Sequence, residues 1–500
     1  MKSEVTARSE RIILAGGVLF AFLFALFFGF TTSLERGIWF DEALTTYFIS
    51  LNWDQLLSFM AKYEANMGLY YVLLKVWSAV SYSEVWLRVF SFIAFSAAAL
   101  FLYLPVRRYL GFRVAGVFLI LFFSHFYLLR YGVEIRGYSL AMLFIALLWF
   151  AWSGAVIDNK WQYWIVYAGA GMLGVHAHLF VALGVFSLGV VALFMLHGRQ
   201  QLGRWFWAHV IIVASFAPLA IFVLQKESGQ LGWLTEPGVR ALIDLSFLYS
   251  GASAESADLL RRALLLMAVL ASGTALFLVV GRRANEAPTS EKSVLVASAA
   301  VSALPVVLVF LVSQVQPSFS PRFFVPFLPF FLIIVAYGLV RACSSATSLI
   351  VPVVLLAMGF STVSYENREG IGWKSIFINT AEHCNGNKAM LVVTHHAQTA
   401  IRYYNRTLPV SCELPMLPFA QSFDNHFTKA ESYPEELENI GEYEGVWVFE
   451  THADDRKAAL LRRYLETIER EVGPCEQKQG NAAISVLYCG DSQKSLAASA

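Results

Sequence analysis

About eleven apolar runs, each close to the length a helix needs to cross a bilayer, constrain this chain more than any other feature. They lie at 12–30, 85–104, 113–130, 137–153, 162–176, 179–197, 205–224, 263–281, 293–313, 323–340 and 346–363. A chain of 500 residues with 57% hydrophobic and only 15% charged residues belongs with membrane proteins, not soluble globular ones. The first run follows Arg8 and Arg11 and lacks a convincing small-residue cleavage pattern, so it reads as a retained signal-anchor helix. The stretch 69–80 is too short and too punctuated to span and is expected to be a re-entrant or interfacial helix.

Lys and Arg in the short loops give the orientation. With the N-terminus inside, the inner loops hold Lys2, Arg8 and Arg11, then Arg107, Arg108 and Arg113, then Lys160, then Arg199 and Arg204, then Arg282, Arg283 and Lys292, then Arg341. Every inner loop is basic. An odd number of spans places the stretch after 363 outside. There the apolar runs shorten to strand length at 389–394, 445–450 and 482–489 and alternate with amphipathic stretches at 396–405 and 458–472, the pattern of an α/β domain. The expected organisation is a helix bundle over 1–363 and an extracytoplasmic α/β domain over 364–500. Of five cysteines, Cys343, Cys384, Cys412, Cys475 and Cys489, the last two flank a turn and a strand and are the first pair to expect as a disulfide; buried thiols are the alternative. Asn405-Arg-Thr has the form of a glycosylation sequon and matters only in a host that glycosylates.

The outer loops carry charge of both signs in short aromatic contexts. Asp41 and Glu42 follow Trp39 and Phe40 soon after the first span; carboxylates at a membrane surface are costly unless used or paired, though a solvated pair that ends the helix is the plain alternative. Arg130, Tyr131, Glu134, Arg136 and Tyr138 crowd the turn between the third and fourth spans, where a structural ion pair is the other reading. His176 and His178 stand at i and i+2, which does not put them on one helix face, so a metal pair is not expected; a hydrogen bond to a polar substrate and plain loop residence remain. Arg322 opens a long apolar helix from the outer side. A guanidinium at a helix N-terminus suits phosphate, and snorkelling to the interface is the alternative. One topology gathers all these clusters, hundreds of residues apart, on one face. A net charge of +1 with no basic run gives no footprint for nucleic acid.

Trp39-Phe40-Asp41-Glu42, the run Glu64-Ala-Asn-Met-Gly-Leu-Tyr-Tyr onward to Trp77, Glu84-Val-Trp-Leu-Arg88-Val-Phe-Ser91, Glu134-Ile-Arg-Gly-Tyr-Ser139 and Pro321-Arg-Phe-Phe-Val-Pro326 together resemble the GT-C glycosyltransferases that use polyprenyl-phosphate sugars. The nearest group is the bacterial relatives of protein O-mannosyltransferase (glycosyltransferase family 39) and of the lipid A aminoarabinose transferase. The resemblance covers most of the chain; the C-terminal portion is similar only in kind. It implies inverting transfer of a sugar from a polyprenyl phosphate carrier to a glycan, lipid or protein acceptor outside the membrane. It assigns catalysis to Asp41, with Glu42 adjoining and Glu134 as a second carboxylate. Arg136, Arg322 and Tyr138 are then donor and phosphate contacts, and Glu64, Asn66, Tyr70, Tyr71, His176 and His178 are candidate substrate contacts. Many relatives have His-Pro-Pro where this chain has Asn66-Met67-Gly68, which puts the contact made by that histidine in doubt. No cofactor or metal is assigned; a divalent ion bridging Asp41 or Glu42 to phosphate stays open. Two rival readings are a lipid-linked-glycan ligase and a transporter or flippase. Transporters usually bind near the midplane on repeated, broken helices, and no convincing internal repeat is present.

Overall fold

The computed structural model describes residues 2–35, 37–62, 66–225, 234–251, 258–280, 289–342, 373–381, 387–392, 395–407, 416–417, 439–451, 455–480 and 484–490. Glu64, Arg282, Arg283, Cys343, Cys384, Cys412 and the last expected span at 346–363 lie outside the described residues. The chain is mainly helical and divides into two compact units. One comprises Met1–Thr31, Leu57–Val80 and Val85–Tyr365; the other comprises Thr32–Leu56, Ser81–Glu84 and Glu366–Ala500.

The first unit is the membrane bundle. Six of the described helices are long and apolar enough to cross a bilayer: Arg8–Thr31, Glu84–Leu110, Tyr138–Ile157, Arg199–Ile221, Thr289–Val312 and Pro321–Ala342. The pair Phe112–Ser124 and Phe126–Gly132 makes a seventh when counted as one span, although it bends by 64°. The expected count of about eleven is therefore not reached among the described residues. Val181–Met195 is apolar but shorter, Gln162–Ala177 has only 16 residues, and Arg262–Phe277 is an apolar stretch within the 23-residue helix Asp258–Val280. Hydropathy measures the length of apolar sequence, not the length of helix that forms from it. The 69–80 stretch forms a helix, Gly68–Ser78, of 11 residues.

Both faces of these helices are apolar, as a lipid solvent requires. Phe95 and Phe122 stack inside at 4.6 Å, with Phe118 beside Phe122, whereas Phe20, Phe27, Phe194 and Phe277 point outward. Tyr138–Ile157 is 72% buried and central in the unit, and Arg199–Ile221, 11% buried, is peripheral. Basic residues of the expected inner loops are tied down: Arg108 and the Tyr109 hydroxyl share the Asp158 carboxylate at 3.0 and 2.9 Å, and Arg341 reaches Glu291 at 3.0 Å. The run expected as one span at 113–130 is broken at His125, whose backbone is extended (φ −72, ψ 113). The Ser124 hydroxyl folds back onto the Ile120 carbonyl at 2.6 Å, and the next helix starts with Leu129 N–H on the His125 carbonyl at 3.0 Å.

The second unit contains a five-stranded sheet, β1 (Lys388–Val392), β2 (Met416–Leu417), β3 (Gly445–Thr451), β4 (Cys475–Gly480) and β5 (Ile484–Gly490), in the order β2-β1-β3-β5-β4. β1 runs parallel to β2 and β3, while β5 is antiparallel to β3 and β4. Ala389, Leu391, Val446 and Val448 alternate onto one sheet face and meet Leu461, Tyr464 and Ile468, which recur at helical spacing along Asp455–Glu471. The two strand periods and this helical period are those expected from the sequence. Cys475 and Cys489 face each other across β4 and β5 and form a disulfide, the expected pair. The unit also holds the Phe40–Ser50 helix from the loop after the first span, packed on the His395–Thr407 helix.

Candidate active site

Within the membrane unit, four segments distant in sequence meet. The turn between Gly132 and Tyr138 is compact, with Arg136 N–H on the Glu134 carbonyl at 2.7 Å and Glu134 buried. Its Gly137 N–H points at the Met67 sulfur, 3.3 Å away. A Cβ at Gly137 would come within 3.0 Å of that sulfur and 3.2 Å of the Ala177 carbonyl, so only glycine lets these chains approach so closely. Asn66 accepts Leu179 N–H on Oδ1 at 3.1 Å, which ties the 66–68 segment to the turn carrying His178. Rings continue the connection: Tyr131 to Tyr138 (5.3 Å), Tyr138 to His178 (5.7 Å), His178 to Phe180 (5.6 Å) and Phe180 to Phe323 (5.1 Å), beside Arg322. Arg322 stands over Phe323 at 5.7 Å in the short helix Pro321–Phe327.

The protonation of His178 follows from these contacts. Phe180 N–H donates to Nδ1 at 3.2 Å, so the ring proton sits on Nε2. Burial, and secondarily the Arg136 guanidinium, push its pKa down from 6.5 to about 3, so the ring is a neutral donor at ordinary pH.

The expected residues Glu134, Arg136, Tyr138, Asn66, His178 and Arg322 therefore lie on one connected set of contacts in this unit. Tyr70 is fully buried, with its hydroxyl 3.2 Å from the Ser91 hydroxyl and its ring on Phe90; Tyr71, beside it, is also fully buried. His176, in the last turn of Gln162–Ala177, takes no part in the chain of rings. Met67, Phe180 and Phe323 were not expected. Their only sequence signal is adjacency to a polar residue, since an apolar side chain in a membrane protein is otherwise unremarked.

Asp41 and Glu42 belong to the second unit, on the first turn of Phe40–Ser50. Glu42 is fully buried and accepts Trp39 N–H at 3.2 Å, the reciprocal half of a capping box, while Asp41 is 9% exposed. Residues around them find partners far along the chain. Ile38 N–H donates to the Tyr404 hydroxyl at 2.6 Å across 366 residues of sequence. The Tyr82 hydroxyl donates to the Thr46 carbonyl, and burial raises its pKa so that it remains a donor. Tyr82's own carbonyl takes the Tyr403 hydroxyl at 3.0 Å, and Arg406 lies 4.7 Å over its ring. Lys374 reaches Glu84 at 3.6 Å. None of Tyr82, Lys374, Tyr403, Tyr404 or Arg406 was expected, and nothing local in the sequence marks them. Among the described residues no three His, Cys, Asp or Glu side chains group as metal ligands.

The bundle and the sheet-bearing second unit define a multi-pass membrane protein with the GT-C fold. No protein-family model and no curated protein sequence matches the chain. Among solved structures it is similar to ArnT from Cupriavidus metallidurans in the apo state, at a TM-score of 0.63 and 12% identity, over 95% of this chain and 98% of that one. The same protein bound to undecaprenyl phosphate is similar at 0.61 and 12% identity over the same shares. A weaker likeness, at 0.49 and 14% identity, is to the arabinofuranosyltransferase AftD from Mycobacteria, over 96% of this chain and 42% of that one.

Proposed function

We propose that this protein is an inverting glycosyltransferase that moves a sugar from a polyprenyl phosphate to a glycan, lipid or protein acceptor on the outer face of a bacterial plasma membrane. The observation that carries the reading is the likeness, over 95% of the chain, to a fold solved with undecaprenyl phosphate bound. The connected set of Glu134, Arg136, Tyr138, His178 and Arg322 contacts supports it.

In this reading the acceptor hydroxyl oxygen bonds to the anomeric carbon from the face opposite the phosphate. The bond from that carbon to the phosphate oxygen breaks, its electron pair leaves on the phosphate, and the acceptor proton passes to Asp41. A single displacement inverts the centre. Phosphate is a good leaving group once its gained charge is held, so Arg136 and Arg322 act on the phosphate and no general acid is needed. Asp41 is the base, Glu42 holds the start of its helix, and Glu134 positions the sugar or an arginine.

Membranes containing the protein, incubated with a radiolabelled polyprenyl-phosphate sugar, are expected to pass label to a new acceptor with inverted anomeric configuration. Label that only crosses the bilayer on its original lipid would establish the flippase instead, and transfer of a preassembled polymer the ligase.

A further inference from the structure

The motif Trp39–Glu42 lies in the second unit, and the segment that bears Asp41 is gripped there by residues of the C-terminal stretch. Phe40–Ser50 is held just before its start and again at its middle. At its start, Gly37 takes a positive φ of 69° to turn the chain into the helix, and a Cβ there would strike the Tyr404 hydroxyl and come 3.0 Å from Lys374 Cβ. The Tyr404 hydroxyl accepts the buried Ile38 N–H at 2.6 Å, three residues before Asp41. One turn beyond Asp41, the Thr46 carbonyl takes the Tyr82 hydroxyl, and Tyr403 holds Tyr82 through its carbonyl at 3.0 Å and its ring at 5.6 Å. Tyr403 and Tyr404 are neighbours on His395–Thr407 and differ by about 100° in direction, so one helix serves both grips. Tyr404 is itself braced by Phe377, 6.2 Å away in a stacked arrangement.

We propose that Tyr404 and Tyr403 are positioning residues for Asp41: hydroxyls of the C-terminal stretch set the depth and rotation of the Phe40–Ser50 helix, and so fix where the carboxylate points. The consequence is that the sheet-bearing stretch is part of the catalytic apparatus and acts through main-chain atoms, without touching substrate. Two fixed points on a helix of 11 residues leave little freedom to slide or roll, and misplacing a base by about 1 Å can cost about 100-fold in rate.

This inference rests on Asp41 being the base, and the test separates the two. Y404F deletes one hydroxyl and keeps the ring stacked on Phe377; Y403F does the same for the other grip. In full-length protein in lipid nanodiscs, Y404F is expected to lower kcat about 10- to 100-fold with KM for the polyprenyl-phosphate sugar within about twofold. Y403F is expected to lower it less, with both melting temperatures close to wild type. Wild-type kcat in both Phe variants overturns the clamp, as does a loss that appears in KM alone or that follows the melting temperature. If D41N turns over like wild type, the base assignment has failed; if D41N is inactive while Y404F and Y403F are normal, only the clamp has failed.

Discussion

The two units build their chemistry from different materials. In the membrane unit the polar turn at 134–138 is held by rings and by single backbone contacts: a sulfur on Gly137 N–H, an amide on Leu179 N–H, and a line of aromatics from Tyr131 to Phe323. In the second unit the segment bearing Asp41 is held by tyrosine hydroxyls on main-chain groups. The proposed roles divide along the same line, with the proposed anion-holding groups in one unit and the proposed base in the other.

That division can be broken by substitution, and D41N should produce the largest effect. It keeps shape and removes the base, so transfer should fall about 10²- to 10⁴-fold while the protein remains folded in membranes; unchanged turnover removes Asp41 from the mechanism. Next in size is the Cys475–Cys489 disulfide, which closes a separation of 14 residues and is worth about 3 kcal/mol. C475S/C489S should raise hydrogen exchange in Gly445–Thr451 and Ile484–Gly490 and leave Tyr138–Ile157 protected. Equal loosening of both would show that the units do not differ in what stabilises them.

R322A is expected to weaken the donor, with apparent affinity for the polyprenyl-phosphate sugar falling about 10- to 100-fold as one charge-assisted hydrogen-bonding group is lost. Unchanged affinity refutes the phosphate role. The smallest effects sharpen the comparison inside the membrane unit. N66A strands the Leu179 N–H and should lower stability by about 1 kcal/mol, seen as a lower melting temperature. His178 supplies a pH signature. Between 6.5 and about 3 the unfolded chain binds a proton at this site and the fold does not. Its contribution is therefore complete above 6.5 and is lost as the pH falls towards 3, by about 1.4 kcal/mol per pH unit within that window. Melting temperatures taken across the window should fall less steeply in H178Q; an equally steep fall places the proton uptake elsewhere.

How much of this was legible depended on distance along the chain. Strands and amphipathic helices after 363 could be read because their periods are local; Leu461, Tyr464 and Ile468 announce a buried helix face by spacing alone. The charged turns could be read because a carboxylate or guanidinium among apolar spans is conspicuous. The break at His125 could not, since one extended peptide leaves hydropathy unchanged. The helix Gln162–Ala177 could, since its bounds follow the apolar run at 162–176. Glu42 is conspicuous as a carboxylate, while its role as a backbone acceptor shows only in its place three residues after Trp39, which fits a capping box. Tyr404 was beyond reach, because 366 residues separate it from Ile38 and no short motif spans them.

The elbow at His125 has a geometric consequence for the residues that follow. The seven residues of Phe126–Gly132 rise about 10 Å, but after a bend of 64° only about 4 to 5 Å of that lies along the axis of Phe112–Ser124, and about 9 Å is lateral. A straight continuation would have lifted Glu134 and Arg136 outward along their own column. The bend carries them sideways instead, and Tyr138 at the end of the turn meets the His178 ring, 40 residues further on.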